Sequence, residues 1–262
     1  MLQNTPARVE YRAKPFFSVP FQPFNLGDPM KKRLFLVSLF VATFFCTSMS
    51  AQAAVLTVKA PFEGQAPASE KLKADADPKC KLMHPNGLDN DQIIVNSNGT
   101  LKNVFVHVKE GLGAQKFEAP KEPVIFNQEG CVYHPKVFGI QVNQPLEIRN
   151  SDDTLHNVHS LSKNSKSFNL GMPIKGMKLK KTFTAPEVMV KIKCDVHPWM
   201  GAYAGVVDNP YYGVTGADGS AAIKDLPAGE YTLEAWHEKY GTQTQKITVT
   251  DADQEISFAF KA

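Results

Sequence analysis

The stretch KIKCDVHPWMGAYAGVVD, from Lys191 to Asp208, decides how the rest of the chain is interpreted. It places Cys194, His197 and Met200 on one short loop between two runs that have the composition of β-strands. A thiolate, an imidazole and a thioether at this spacing form a soft set of metal ligands, and such ligands favour copper. The loop supplies a single histidine, so a second must come from another part of the chain. His156, at the start of an earlier apolar run, is the natural candidate.

The segments LHNVH, at positions 155–159, and CDVHPWM, at 194–200, resemble the ligand segments of the cupredoxins, most closely those of amicyanin-type and plastocyanin-type electron carriers. The resemblance extends from Glu118 to Asp208, with Val196 at a position where the family often has proline. It implies a type 1 (blue) copper site, a trigonal His₂Cys centre with a weak axial methionine. The implied ligands of its one copper ion are His156, Cys194, His197 and Met200. The resemblance also implies that Asn157 ties the two ligand loops together by hydrogen bonds.

Neighbouring side chains compete for the same roles. His159 is the rival of His156, but residues three apart on a strand point to opposite faces, so only one of them can face the metal. Met172 and Met177 are alternatives to Met200, although most methionines simply fill the core. Cys194 itself has two other interpretations, a buried free thiol or the partner of another cysteine.

Two further side chains have open interpretations. Trp199 and the edge of His197 either form an exposed apolar patch that docks a redox partner, or Trp199 packs between two modules of the chain. His237, in AWHEKYG, could be taken for a catalytic base. No serine or cysteine nucleophile pairs with it, so we expect a structural or surface role.

The first 53 residues are interpreted as a leader that is not part of the fold. A basic start at 30–33, an apolar run, and Ala-Gln-Ala at 51–53 together predict a secretory signal peptide, with Met30 as the expected true start. An uncleaved membrane anchor is the alternative. Six of the 29 basic and two of the 26 acidic residues lie in this leader, so the remaining chain has a net charge of about −1. We therefore expect a periplasmic or secreted protein without stable membrane insertion, and nothing indicates nucleic-acid binding.

Export places the three remaining cysteines, Cys80, Cys131 and Cys194, in an oxidising compartment. An odd number predicts one disulfide and one special thiol. If Cys194 binds copper, Cys80 and Cys131 remain as the disulfide pair. The alternative is a second metal site, because His84 and His134 follow these two cysteines closely in the sequence.

Short strand-like runs separated by turns predict an all-β chain, and the resemblance implies a cupredoxin-like Greek-key β-sandwich. Strands are expected at 55–60, 123–126, 138–142, 145–149, 178–184, 188–193 and 201–207, and residues 61–81 are expected to be mainly irregular. The turn at 96–99 predicts a β-hairpin formed by the runs 91–96 and 102–109. After the leader no segment shows a sustained helical period.

After Asp208 the composition changes, so we predict a cupredoxin-like domain at 54–208 and a second module at 209–262. The second stretch resembles the carboxypeptidase regulatory-like, or transthyretin-like, β-sandwich, with matching residues Asp218, Gly219, Leu226, Pro227, Gly229, Tyr231 and Leu233. Its length is short for an independent core. We therefore expect it to pack on the first domain or to take a strand from the region near Val55.

The function that these residues predict is a periplasmic one-electron carrier with one type 1 copper ion. The resemblance implies a redox protein as its partner, such as a c-type cytochrome or a periplasmic dehydrogenase. Two alternatives remain, a copper-binding or copper-handling protein that transfers no electrons and a metal-free β-sandwich adhesion module. An enzyme is least expected, because four protein ligands leave no open coordination position for a substrate.

Overall fold

A computed structural model describes residues 54–262, and the predicted signal peptide lies outside this range. The described chain is almost entirely β-structure, as the sequence predicted. Its earlier strands are β1 (Val55–Lys59), β2 (Phe62–Glu63), β3 (Lys71–Leu72), β4 (Leu88–Asp89), β5 (Phe105–Glu110), β6 (Val124–Glu129), β7 (Val132–His134), β8 (Val137–Gln141), β9 (Leu146–Asn150) and β10 (His156–Ser160). Its later strands are β11 (Asn169–Met172), β12 (Lys178–Lys181), β13 (Glu187–Lys193), β14 (Gly201–Val207), β15 (Tyr212–Val214), β16 (Ser220–Lys224), β17 (Gly229–His237), β18 (Gly241–Val249), β19 (Gln254–Ser257) and β20 (Phe260–Lys261). One short helix, α1 (Pro78–Met83), precedes β4.

Two sheets from residues 124–207 form a sandwich whose core contains the candidate ligands. Five strands pair in the order β11-β10-β13-β14-β8, and four pair in the order β12-β9-β6-β7. Alternation along β9 shows how the sequence builds this core, since Leu146 and Ile148 are buried while Glu147 and Arg149 point outward and pair with each other at 2.7 Å. β8 runs parallel to β14, and β6 runs parallel to β9. These parallel pairs require connections that cross over, as in a sandwich and unlike a simple meander.

The other strands bring the two ends of the described chain together. β1 lies between β16 and β19, with Val55 opposite Lys224 and Leu56 opposite Gln254. β5 lies between β15 and β17, and β18 is the outer strand beside β17. The C-terminal stretch therefore takes a strand from the region near Val55, as expected, and takes β5 as well. The domain boundary at Asp208 stays a prediction.

Glycine allows the aromatic side chains of β5 and β15 to lie directly on the backbone of the sandwich. A Cβ atom on Gly205 of β14 would lie 2.3–2.6 Å from three ring atoms of Phe105. A Cβ atom on Gly139 of β8 would lie 2.2 Å from the ring of Tyr212. Any larger residue at these positions would push the rings away from the sheet, because protein interiors are already close-packed.

The hairpin expected from residues 91–96 and 102–109 forms only beside its turn, and the predicted pairing along the rest of the two runs is wrong. The N–H of Asn96 donates to the carbonyl of Thr100 at 2.7 Å, the N–H of Lys102 donates to the carbonyl of Ile94 at 3.0 Å, and Val95 and Leu101 form a bridge between them. β5 instead pairs with β15 and β17, and its first four residues are all buried. Burial of both faces is typical of a central strand, and its pairing is therefore decided by distant partners and not by the neighbouring turn.

The helix α1 also corrects the sequence-based expectation, because it lies where irregular structure was predicted. Asp77 is its N-cap residue, with a side-chain oxygen that accepts hydrogen bonds from the backbone N–H groups of Lys79 and Cys80. Pro78 occupies the first turn, where its missing N–H is harmless. Six residues are too few for a periodic pattern to show. Across residues 54–262, no helix has both the length and the apolar character that crossing a membrane requires.

Candidate metal centre

The two predicted ligand segments meet at one edge of the five-stranded sheet. β10 begins at His156 and runs antiparallel to β13, with His159 opposite Lys193, so the loop that follows β13 lies beside the first residues of β10. Two backbone hydrogen bonds close this loop. The N–H of Cys194 donates to the carbonyl of Met200 at 3.2 Å, and the N–H of Met200 donates to the carbonyl of His197 at 2.9 Å.

Three donor atoms from these segments converge on one point. The Nδ1 atoms of His156 and His197 are 2.9 Å apart, and the sulfur of Cys194 lies 3.7 Å from Nδ1 of His197. All three donor atoms lie within 4.8 Å of one another, and all three side chains are buried. Atoms that bind one ion at about 2.0–2.3 Å lie roughly 3–4 Å apart. The spacing therefore fits a single small metal ion.

Cys194 is held as a thiolate. It is the free cysteine of the described residues, and it is buried. Burial raises the pKa of its thiol, but hydrogen bonds from His156, from His197 and from two backbone N–H groups outweigh this effect and lower the pKa to about 5. One of these N–H groups belongs to His197 and lies 3.3 Å from the sulfur, and the other belongs to Asn157. A thiolate is the form of cysteine that binds metals.

Asn157 joins the strand that carries His156 to the loop that carries Cys194. Its side-chain oxygen accepts a hydrogen bond from the backbone N–H of Asp195 at 2.6 Å. Its amide group donates to the side-chain oxygen of Asn169 at 2.5 Å and to the carboxylate of Asp195 at 3.3 Å. This is the tie between the two ligand loops that the resemblance implies.

The competing side chains have other partners. His159 binds the carboxylate of Asp195 at 2.9 Å and is partly exposed, whereas His156 is fully buried. The sulfur of Met172 accepts a hydrogen bond from the side-chain amide of Gln128 at 3.1 Å. Met200 is buried in the same hydrophobic core as Cys194. The arrangement thus favours His156 over His159.

Two carboxylates that the sequence reasoning missed lie behind the imidazoles. Nε2 of His156 is 2.8 Å from Asp152, and Nε2 of His197 is 3.3 Å from Asp77. Burial raises the pKa of Asp77, but hydrogen bonds from Thr154, from backbone N–H groups and from His197 lower it to about 2. Burial likewise raises the pKa of Asp152, and hydrogen bonds from His156 and two backbone N–H groups lower it overall. The only hint in the sequence is the pair of acidic residues shortly before His156.

These contacts fix where the imidazole protons lie. An ionised carboxylate only accepts hydrogen bonds, so the Nε2 atoms of His156 and His197 both carry a proton and donate. The two Nδ1 atoms then present lone pairs to each other at 2.9 Å, which requires a proton or a metal ion between them. Accordingly, although burial lowers the pKa of His156, the hydrogen bonds and charges of Asp152 and Cys194 raise it to about 8. This is a site built to hold a cation next to a thiolate.

The predicted disulfide between Cys80 and Cys131 is confirmed. It excludes the alternative second metal site, because both sulfurs are already bonded to each other. The imidazole of His84, one of the ligands which that site would use, binds the carbonyl of Gly130 at 2.7 Å.

The disulfide also covers the metal centre. The sulfur of Cys80 lies 3.7 Å from Nε2 of His197, and the indole N–H of Trp199 donates to the carbonyl of Cys131 at 2.9 Å. The rings of Trp199 and His197 are 5.0 Å apart. His197 is 0% exposed, so the first of the two interpretations, an exposed docking patch around its edge, is wrong. The physical reason is α1, which the disulfide holds over the imidazole.

His237, the other histidine considered as a functional group, is 1% exposed and stacks on Tyr240 at 5.0 Å between ring centroids. Its Nδ1 accepts the backbone N–H of Lys239 at 3.2 Å. These contacts are those of a structural residue inside the fold, and a surface position is excluded.

Several solved structures are similar to parts of this chain. The copper-containing nitrite reductase NirK from Thermus scotoductus SA-01 is 25% identical over 37% of this chain, with a TM-score of 0.32. This chain covers 25% of the nitrite reductase. A purple cupredoxin from Nitrosopumilus maritimus is 22% identical over 31% of this chain and 97% of its own, with a TM-score of 0.27. A reduced amicyanin variant is 20% identical over 37% of this chain and 96% of its own, with a TM-score of 0.29. No model of a known protein family matches this chain, and no curated protein sequence matches it significantly.

Proposed function

We propose that this protein is a mononuclear type 1 copper protein that carries single electrons in the periplasm. The observation that carries the proposal is the convergence of two imidazole Nδ1 atoms and a buried thiolate within 4.8 Å. Two histidines and one cysteine with a weak axial methionine are the ligands of type 1 copper. The ligands would be His156, Cys194 and His197, with Met200 as the axial ligand.

A copper ion held there would take up and release one electron. The chain contributes a fixed ligand frame, because hydrogen bonds through Asn157 join β10 to the ligand loop and backbone bonds close that loop. The burial of the ligands excludes water from the site. Such a frame keeps the ligands nearly still when the charge of the ion changes. With four protein ligands there is no open position for a substrate, so the proposed role is that of a carrier and not of an enzyme.

The compartment and the partner belong to the same proposal. The disulfide between Cys80 and Cys131 supports an oxidising compartment, since disulfides are rare in reducing ones. A c-type cytochrome or a periplasmic dehydrogenase is the kind of partner that would exchange electrons with a copper centre there.

One observation favours a second candidate, a copper-binding protein without a role in electron transfer. His197 is covered by α1, by the disulfide and by Trp199, so the imidazole has no exposed edge for a partner to touch. An electron that enters or leaves through His197 must pass through these covering groups, whereas stored copper needs no such route. Rapid exchange of electrons between the copper-loaded protein and a small c-type cytochrome would support the carrier, and binding of copper without exchange would support the second candidate.

The copper proposal is tested by adding Cu(II) to the purified protein and recording its visible spectrum. We expect an intense thiolate-to-copper band that is lost in Cys194→Ser. Two matched histidine variants on β10 provide a control. His156→Gln should abolish the band, and His159→Gln should retain it. A wild-type protein without this band, or a band that survives His156→Gln, contradicts the proposal.

A further inference from the structure

Each of the two imidazoles at the centre has a carboxylate behind it. Asp152 contacts Nε2 of His156 at 2.8 Å, and Asp77 contacts Nε2 of His197 at 3.3 Å. The carboxylates come from different parts of the chain, one from the turn before β10 and one from the N-cap of α1. Both imidazoles are therefore held from the side opposite to the thiolate of Cys194.

The Asp152 carboxylate is itself held in place by the backbone. Its oxygens accept hydrogen bonds from the N–H groups of Gly130 and Cys131, both at 2.8 Å. The residue is buried. A carboxylate with fixed oxygens offers the imidazole of His156 a single position for its Nε2–H.

The Asp77 carboxylate is held in a similar way. One of its oxygens accepts hydrogen bonds from the backbone N–H groups of Lys79 at 2.7 Å and Cys80 at 3.2 Å. The other oxygen accepts a hydrogen bond from the hydroxyl of Thr154 at 2.7 Å and faces His197. Asp77 thus binds the backbone of one cysteine of the disulfide, and Asp152 binds the backbone of the other. The disulfide therefore joins the two cysteines whose backbone N–H groups hold the two carboxylates in place.

Resting on the copper function proposed above, we infer that Asp77 and Asp152 are positioning residues that hold the two histidine ligands with Nδ1 toward the metal and lower the reduction potential of the centre. A carboxylate that accepts the outer N–H of a metal-bound histidine fixes the tautomer and increases the electron donation of the ring. Greater donation stabilises Cu(II) more than Cu(I). Both residues act through a ligand, and neither reaches the metal.

The variants Asp77→Asn and Asp152→Asn remove the negative charges one at a time. Asparagine is as good an N-cap as aspartate, so Asp77→Asn retains α1. Asp152→Asn replaces an oxygen that accepts a backbone N–H and is the more disruptive change, so Asp77→Asn keeps the inference testable if Asp152→Asn does not fold. Asp153→Asn is the matched control, because Asp153 is exposed and binds Lys79 at the surface.

The first measurement uses the metal-free protein and the ¹⁵N chemical shifts of its imidazole nitrogens. In the wild type we expect Nε2 of both His156 and His197 to be protonated. Asp152→Asn should change the Nε2 signal of His156 alone, Asp77→Asn that of His197 alone, and Asp153→Asn neither. The Nδ1 signals are not compared, because the two Nδ1 atoms share a proton and respond together. A purely structural role would give no such one-to-one pattern.

The second measurement is the reduction potential of the copper-loaded variants. Loss of a carboxylate behind a metal-bound histidine weakens metal binding roughly 10-fold or more. If only Cu(II) is bound more weakly, a tenfold loss of affinity raises the reduction potential of this one-electron couple by about 59 mV. We expect a rise of this order in Asp77→Asn and in Asp152→Asn, with Asp153→Asn at the wild-type value.

The outcomes separate this inference from the function on which it rests. Wild-type potentials and unchanged tautomers in both variants overturn the inference while the copper function stands. A wild-type protein without a thiolate-to-copper band overturns the copper function, and the tautomers of the metal-free protein still decide whether the two aspartates orient the histidines.

Discussion

Removal of the disulfide between Cys80 and Cys131 should cost the protein a large part of its stability. The two cysteines lie 51 positions apart in the chain, and both are fully buried. For a closed loop of this length, the entropy that the cross-link removes from the unfolded chain corresponds to about 4 kcal/mol at 25 °C. For a protein of this size, such a loss lowers the melting temperature by roughly 8–16 °C.

The double variant Cys80→Ala and Cys131→Ala is the cleanest perturbation, because alanine leaves no buried hydroxyl without a partner. Urea denaturation of the metal-free protein measures the change in the free energy of unfolding. Treatment of the wild type with a reductant serves as the control, since it should reproduce the loss in the wild type and change nothing in the double variant. A loss below about 1 kcal/mol would refute the loop-closure reasoning.

The same variant should open the centre locally. α1 has six residues, fewer than an isolated helix needs to be stable in water. Without the disulfide we expect faster hydrogen exchange at the backbone N–H of Lys81, which donates to the carbonyl of Asp77 at 2.9 Å. Unchanged exchange at this amide would mean that the polar contacts of Asp77 alone hold α1 over His197.

Three more predictions concern the sheets, the buried histidine and the axial ligand. Gly205→Ala should lower the free energy of unfolding by about 1–3 kcal/mol, because its Cβ would overlap the ring of Phe105, as measured by urea denaturation. Burial lowers the pKa of His237 to about 4, so the unfolded chain takes up a proton near pH 6.5 that the folded protein does not. Stability should fall by up to about 3 kcal/mol as the pH drops from 6.5 to 4, and urea midpoints of His237→Asn should lack this part of the pH dependence. Met200→Leu should retain the thiolate-to-copper band and raise the reduction potential measured by spectroelectrochemistry, because a weak donor to Cu(II) is lost.

Matched controls exist for two of these changes. Gly171→Ala, also in a strand, adds a Cβ with no atom within 4 Å and should be nearly neutral. Met172→Leu removes a sulfur that already accepts a hydrogen bond from Gln128, so it should leave the potential unchanged. For His237, equal pH dependence in the wild type and in the asparagine variant would contradict the assigned effect of burial.

Much of the fold follows from short-range patterns. Alternating apolar residues predict strands such as β9 and β13, since each side chain on a pleated strand faces the side opposite to its neighbours. Sequence alone also predicts which cysteines pair, because the third cysteine is set apart by His197 and Met200 at the spacing of a metal-binding loop. The same patterns fail for β5, whose pairing partners lie more than a hundred residues away.

What the sequence by itself determined is the all-β class, the pairing of Cys80 with Cys131 and the ligand candidates on β10 and the loop after β13. The strands and the candidates Cys194, His197 and Met200 depend on residues close together in the chain. The pairing of Cys80 with Cys131 depends on the assignment of Cys194 to the metal, and His156 depends on the need for a second histidine. Only the tertiary structure decided that His197 is covered and that Asp77 faces it. The two residues are 120 positions apart. Their contact forms only when distant segments pack against each other, so it cannot be predicted from the residues around either one.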